Sequence, residues 1–343
     1  MQAVQYDAYG ATPVLAEIPE PDCPPDGVLI AVRATGVCRS DWHAWQGHDP
    51  VTLPHVPGHE YAGVIHAIGP EVTTRRVGER VTVPFVCGCG RCAYCAAGDA
   101  QVCPDQSQPG FTHPGSFADL VAVPAADLNV VPLPDDLDFI TAASLGCRFA
   151  TSFRALTAHG QVGPGDWVAV HGCGGVGLSA VLIASALGAR VVAVDVSRPA
   201  RELAAALGAD VVVEGGPEAA RHIVEATDGG AHVSVDAFGS TDTAIASVSC
   251  LRPRGRHVQV GLLLGADATP PLPMGAVLAQ ELEIHGSHGM AARDYPAMLA
   301  LVASGTLRPG LLVGSVIGLS EAGAALAAMS RPATTAGVTV VQV

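Results

Sequence analysis

The chain contains no lysine, so its 18 basic residues are all arginine. That absence excludes any mechanism running through a lysine Schiff base. Glycine and proline are plentiful, at 40 and 26 residues, and with the abundant alanine they read as a GC-rich coding bias, not as a functional adaptation. Positive charge is scarce altogether: 32 acidic residues leave a formal net charge of -14, and no basic cluster interrupts it. This argues against a nucleic-acid partner. Aromatic residues make up only 4% of the chain. The opening, Met-Gln-Ala-Val-Gln-Tyr-Asp, lacks a charged segment followed by an apolar core, so no signal peptide is expected. One uncharged run, 167–189, has the length of a membrane span. Gly172, Gly174, Gly175 and Gly177 divide it into a strand, a turn and a helix, and no membrane partner is expected.

Against these absences stand ten cysteines. Without an export signal they fit reduced thiols and metal ligands in a cytoplasmic protein. Four of them, Cys89, Cys92, Cys95 and Cys103, are spaced C-x2-C-x2-C-x7-C. Zinc accepts four thiolates in a tetrahedron, and two residues between ligands let the chain wrap the ion tightly. Gly88, Gly90 and Gly98 relieve the backbone where it turns. A disulfide cluster and an iron–sulfur site are the rival readings. Cys87 is an adjacent thiol that a shifted register would use instead.

The 343 residues suffice for two domains with substantial cores. To about residue 145 the chain reads as mostly β, with short apolar runs at 27–34, 61–68 and 80–83 between Gly and Pro. This suggests a twisted, barrel-like β domain. Residues 139–160 look helical with a break near Gly146. Strands are then expected at 167–171, 190–195, 211–213, 233–237, 256–261 and 283–286, with helices through 187 and over 200–207. Such alternation defines a parallel, doubly wound α/β sheet. The end is mixed: helices at 295–304 and 322–329, strands at 313–318 and 337–343.

Strand 167–171 runs into Gly172-Cys-Gly174-Gly175-Val176-Gly177 and then a helix. Glycines at this spacing permit a tight turn, close approach to a pyrophosphate and helix–strand packing, and the helix N-terminus offers free N–H groups to the phosphates. The next strand ends on Asp195, whose carboxylate can accept hydrogen bonds from adenosine ribose hydroxyls and repels a 2′-phosphate. NAD(H) is therefore favoured over NADP(H). Asp195 could instead cap the following helix, and Arg198 and Arg201 lie near it in sequence.

Cys38, His59 and Cys147 each have an ordinary explanation taken singly, and spacing alone cannot join them. Gly36-Val-Cys-Arg-Ser-Asp-Trp-His43, Gly58-His-Glu60, the four-cysteine run, Gly146-Cys-Arg-Phe-Ala-Thr151 and the glycine turn ending at Asp195 nevertheless follow one another in a familiar order. In these pieces the chain resembles the zinc-dependent medium-chain alcohol dehydrogenases over essentially its whole length. The resemblance implies a GroES-like β-rich catalytic domain over 1–148 and 287–343, with a cysteine lobe at about 86–104, around a Rossmann domain at 149–286.

It further implies two zinc ions per subunit. One would be catalytic, on Cys38, His59 and Cys147 with an open fourth position, and one structural, on the four cysteines. Asp41 would orient the His59 ring, and Glu60 would lie behind the metal. Ser40 would contact the alcohol oxygen and His43 would pass its proton towards solvent. Arg39 would approach the pyrophosphate; the family often places another basic residue in the last strand, where Ala336-Gly337-Val338 offers none. Thr151 and Gly261 would neighbour the nicotinamide. Trp42 and Phe85, with Trp45, His48 and Phe111, are candidates for the pocket wall or for core packing.

The activity implied is oxidation of a primary or secondary alcohol by NAD, or its reverse. The alternatives are a polyol, amino-alcohol or biosynthetic dehydrogenase and, from another class, a non-catalytic scaffold that binds zinc and nucleotide. The partner implied is a small alcohol or carbonyl compound, and the assembly a homo-oligomer, a tetramer before a dimer.

Overall fold

The structure is a computed structural model, and it describes residues 1–331 and 336–343. Two large sheets organise the chain. The first has six strands in the order Val211–Glu214, Arg190–Asp195, Trp167–His171, Ala231–Asp236, Leu251–Gln259 and Glu283–Gly286. Every neighbouring pair in it is parallel. The order reverses between Trp167–His171 and Ala231–Asp236, and that switch point opens a crevice at the carboxyl ends of the strands. Its central strands are continuous apolar runs because helices cover both faces. Val168, Val170, Val191 and Val235 are completely buried.

The second sheet has seven strands and is mostly antiparallel. Val28–Val37 lies at its centre, paired with Tyr61–Ile68, with Leu120–Val123 and with the C-terminal Val338–Gln342. The C-terminal strand also pairs in parallel with Val313–Gly318. Gln2–Gln5 and Val14–Glu17 form a separate hairpin. This is the GroES-like β-rich half, and the parallel sheet is the Rossmann half.

A helical segment from 139 to 159 connects the halves. Its α-helix Phe139–Ala143 stops at a turn on Ser144, near the break the sequence suggests at Gly146, and the segment then goes on helically. It widens into π-type turns over Leu145–Phe149 and Ala155–His159, on either side of the helical turn Ala150–Arg154. Phe149, Phe153 and Leu156 share one core with Val168, Leu178 and Ile183. Helix Gly175–Ala186 is apolar nearly all round because it lies between this segment and the sheet; residues 177–184 are all buried. Each fully buried Leu or Ile there contributes about 1.5–3 kcal/mol from area alone. Among the described residues no helix is long and apolar enough to cross a membrane.

Candidate active site and metal centres

Three buried ligands meet where the two halves join. Cys38 ends strand Val28–Val37 and stands, extended, before helix Arg39–Trp45. His59 precedes strand Tyr61–Ile68. Cys147 lies in the π-type turn Leu145–Phe149, a kind of distortion frequent at functional sites. Gly146 makes this approach possible, since a Cβ there would stand 3.1 Å from the Val83 carbonyl oxygen and 3.2 Å from the Glu60 Cα. The ligand atoms of Cys38, His59 and Cys147 all lie within 4.8 Å of one another.

Asp41 organises two of them. Its Oδ1 accepts from His59 Nδ1 at 2.8 Å and from the Gly58 amide at 3.0 Å, and its Oδ2 accepts from the Cys38 amide at 3.1 Å. A proton on Nδ1 leaves the His59 Nε2 lone pair free for the cluster. That Nε2 is buried and has no hydrogen-bond partner. Two thiols and an orphaned imidazole nitrogen match the donor set of a catalytic zinc site. The Cys38 thiol is held well below its ordinary pKa by the hydrogen bond from Cys147, helped by nearby Arg148 and His59. A readily formed thiolate suits metal ligation. Glu60 lies behind the cluster, fully buried, and pairs with Arg148.

The four-cysteine group forms separately. Its sulfurs also lie within 4.8 Å of one another. Cys92 caps helix Ala93–Ala97 and its sulfur accepts from the Cys95 amide at 3.4 Å, while Cys103 Sγ accepts from the Cys89 amide at the same distance. Gly98 ends the helix at φ 89°, a left-handed conformation that favours glycine. Cys87 is excluded from the group: it is fully buried in the β core and its thiol donates to the Pro84 carbonyl. Buried Asn129 fastens the lobe through two 2.9 Å hydrogen bonds with the Gly88 backbone.

At the switch point of the parallel sheet, Gly172 takes φ +89°, and a Cβ on Gly177 would collide with the Gly172 carbonyl oxygen. Gly174 is exposed and faces open space. The turn therefore leaves a cradle at the start of helix Gly175–Ala186, as a pyrophosphate requires. Val176 lies in the first turn of that helix and its carbonyl accepts from Ser152 Oγ at 2.8 Å. Asp195 does not cap the next helix; Ser197 does. Asp195 instead accepts from the Cys173 amide at 2.6 Å and the Ser197 amide at 2.7 Å, joining its strand to the glycine turn. Arg201 donates to the Asp195 and Val196 carbonyls.

Thr151 lies one turn beyond Cys147, buried, with an unpartnered Oγ1. Gly261 borders a cleft of about 660 Å³ between the cysteine lobe and the sheet, which Gln101, Arg154, Ser287 and His288 also line. Ser40 Oγ is 3.9 Å from Cys38 Sγ. His43 Nδ1 meets His48 Nδ1 at 3.1 Å, and His48 is exposed. Arg39 donates to the Met329 carbonyl at 2.6 Å and lies over the Trp42 ring.

The aromatic candidates divide. Phe85 and Phe111 pack against the His59 ring, at centroid distances of 6.0 and 5.1 Å. Trp45 is core, 6% exposed, with its Nε1 on the Ala11 carbonyl. Trp42 donates to Ser330 Oγ and meets His43 and His48 edge-on. Sequence reasoning passed over Arg148, Asn129 and His288, which packs on Phe85 at 5.2 Å. A charged residue directly after Cys147 inside an apolar helical pattern was the available signal for Arg148. The other two are set only by tertiary contacts.

A dinucleotide cradle at a Rossmann switch point, beside a buried Cys2His cluster in a β-rich half, defines a nucleotide-dependent metal-containing oxidoreductase. Comparison with known proteins agrees. Residues 24–135 match the family model of the alcohol dehydrogenase GroES-like domain, and residues 175–304 that of the zinc-binding dehydrogenases. An alcohol dehydrogenase of Geobacillus stearothermophilus is 35% identical over 311 residues, 90% of either chain. The structure of an alcohol dehydrogenase from Thermus sp. ATN1 superposes with a TM-score of 0.91 at 30% identity, covering 100% of this chain and 99% of that one. An NAD-dependent alcohol dehydrogenase superposes at 0.89, also with 30% identity, over 100% of both chains. The chain belongs to the zinc-dependent medium-chain alcohol dehydrogenase family.

Proposed function

We propose that this protein oxidises a primary or secondary alcohol to an aldehyde or ketone with NAD⁺, or runs the reverse reaction. The observation that carries the reading is the buried His59 Nε2, free of partners, facing two thiols while Asp41 fixes the other ring nitrogen. Cys38, His59 and Cys147 would hold the catalytic zinc, and Cys89, Cys92, Cys95 and Cys103 the structural one, two ions per chain. When bound, the catalytic ion supplies a Lewis acid that makes an alcohol hydroxyl easier to deprotonate. The nicotinamide supplies the hydride acceptor.

The chain's own residues do the rest. Asp41 keeps His59 in one tautomer and one orientation. Ser40, beside Cys38, would contact the alcohol oxygen, and His43 would take the proton once a ribose hydroxyl of the cofactor has passed it on. From His43 the exposed His48 ring is one hydrogen bond away. Glu60, buried and paired with Arg148, stands behind the metal ligands. Phe85 closes one wall of the pocket, with Trp42 further out on the helix that carries Ser40 and His43. Gly172, Gly174, Gly175, Val176 and Gly177 would form the pyrophosphate cradle, with Arg39 as a phosphate contact and Thr151 and Gly261 as neighbours of the nicotinamide.

Asp195 favours NAD(H). Its oxygens each accept one backbone N–H, and a carboxylate has about four acceptor sites, so two remain for ribose hydroxyls. The catalytic domain would comprise 1–148 and 287–343 around a nucleotide domain at 149–286, in a cytoplasmic homo-oligomer, a tetramer before a dimer. Exposed Leu278, Met274 and Ile284, on and beside the edge strand Glu283–Gly286, support self-association.

The decisive experiment screens primary, secondary, aromatic and polyol substrates with NAD⁺ and NADP⁺, alongside zinc analysis. About two zinc ions per chain and turnover with a simple alcohol are expected. One ion and no turnover would leave the scaffold reading standing, and a lower KM for NADP⁺ would reverse the cofactor assignment.

A further inference from the structure

His288 stands between the cysteine lobe and the wall of the metal site. Its Nδ1 lies 3.1 Å from the Gln101 carbonyl oxygen. A carbonyl oxygen only accepts, so Nδ1 carries the ring proton, and Nε2 of the neutral ring keeps its lone pair. Among the described residues none bonds that Nε2, and the side chain is exposed. The ring also meets Phe85 edge-on, with centroids 5.2 Å apart, and Phe85 meets the His59 ring at 6.0 Å. Gly289 tightens this seat, since a Cβ there would stand 2.9 Å from Phe85 Cε1. One phenyl ring thus lies between His288 and a metal ligand.

His288 lines the cleft of about 660 Å³ that Gly261 also borders. Val102, Leu262 and Leu263 give this cleft apolar walls, and Arg154 and His159 bring it basic groups. Those groups are already engaged. Arg154 Nη1 meets His159 Nε2 at 2.7 Å, and the nearby carboxylates of Asp294 and Asp99 act on the guanidinium. An anion therefore gains little in the cleft, whereas a neutral hydrogen-bond donor finds a free acceptor at His288. A plain hydrocarbon chain filling the same space would leave that nitrogen dry and unpaired, which is costly.

We propose that His288 is a specificity-determining residue whose Nε2 accepts a hydrogen bond from a second hydroxyl of the substrate, several carbons from the one that reacts. The substrate class is then a diol or longer polyol with an apolar middle. Its reacting carbinol lies at Cys38, His59 and Cys147, and its far hydroxyl lies in the cleft past Phe85. The inference deepens the alcohol-oxidising reading above and rests on it.

The test compares straight-chain α,ω-diols with the plain primary alcohols of the same length, over a series of lengths, on the zinc-loaded protein with saturating NAD⁺. A purely apolar pocket rejects a hydroxyl it cannot pair, and would favour the plain alcohol at every length. The native protein is expected instead to turn over one diol of the series at least as well as its plain counterpart, after allowing for the two equivalent ends. Preference for the plain alcohol at every length would overturn the proposal. His288→Phe keeps a ring against Phe85 and removes the acceptor. It should raise KM for that diol about ten-fold with kcat little changed, and leave the plain alcohol within about two-fold. His288→Gln, which restores an acceptor on a flexible chain, should fall between, and it carries the test with the native comparison if His288→Phe fails to fold. Zinc content and KM for NAD⁺ are measured alongside. Equal losses for diol and plain alcohol would show that His288 only shapes the wall at Phe85, and would overturn the proposal. A raised KM for NAD⁺ with every alcohol would show that the ring serves the cofactor, and would overturn it too. If the native protein oxidised no alcohol of either kind, the alcohol reading would fall first and take this inference with it, a result distinct from the others.

Discussion

The two cysteine-containing clusters use similar ligands and reach them in opposite ways. Cys89, Cys92, Cys95 and Cys103 are gathered by one short stretch of chain, by a helix of five residues and its two flanking turns. Two of the four are only half-buried. Cys38, His59 and Cys147 come from three distant stretches and are all buried at the seam between the sheets. Four thiolates close a tetrahedron, so the first cluster offers no place for a substrate. Three ligands leave a place open, and burial at a seam puts that place next to the nucleotide cradle. On the proposed reading, local closure makes a staple, and closure through the tertiary structure makes a reaction site.

The sharpest way to break this comparison is to remove one ligand from each cluster. Cys147→Ala should lower turnover by at least about a thousand-fold, because several kcal/mol of charge stabilisation go with the metal. Zinc should fall from about two to about one per chain, with the melting temperature little changed. Cys92→Ala should do the reverse first, lowering the melting temperature by on the order of 10 °C and loosening assembly, since structural zinc binding is folding free energy. A stable, fully assembled but inactive Cys92→Ala protein would mean that the two clusters have been assigned the wrong way round.

Smaller changes sharpen the contrast within the seam. His43→Ala should cut alcohol oxidation by about a hundred-fold at neutral pH, with partial rescue by imidazole buffer. Burial, then His48 and Arg39, hold the His43 pKa below its ordinary 6.5. A base is competent when neutral, so native oxidation should keep its rate down to below pH 6.5 and lose it only as pH falls through that depressed value. The variant should gain rate with rising pH instead, and an unchanged pH–rate profile would remove His43 from the relay. Asp41→Asn should weaken the seam metal about ten- to a hundred-fold in a chelator competition, while the four-cysteine ion leaves at its native rate. Equal loss of both ions would mean that Asp41 supports the fold at large.

Much of the parallel sheet was legible beforehand because its strands are buried on both faces and announce themselves as apolar runs. Trp167–His171, Arg190–Asp195 and Glu283–Gly286 fall where the sequence places them. Helices Ala219–Ala226 and Thr241–Ser249 went unread. So did the short helix Arg39–Trp45, where Cys38 and Asp41 cap each other, since seven residues give little periodicity. The break read near Gly146 falls where helix Phe139–Ala143 stops, and the π-type turn that follows, with the close approach of Gly146 to Val83 and Glu60, was not legible. The pocket candidates separated only in three dimensions, with Phe85 against His59 and Trp45 in the core.

By itself the sequence determined what is encoded over short distances. The four-cysteine spacing and the glycine turn with its strand and helix each follow from neighbours along the chain, where spacing fixes geometry. The tertiary structure alone decided the rest. It excluded Cys87 from the cluster, turned His59 Nε2 toward two sulfurs, tied Asp195 to the glycine turn and laid Arg148 between Glu60 and Gly175. These depend on which surfaces the two sheets bury against each other, and no spacing along a single chain carries that information.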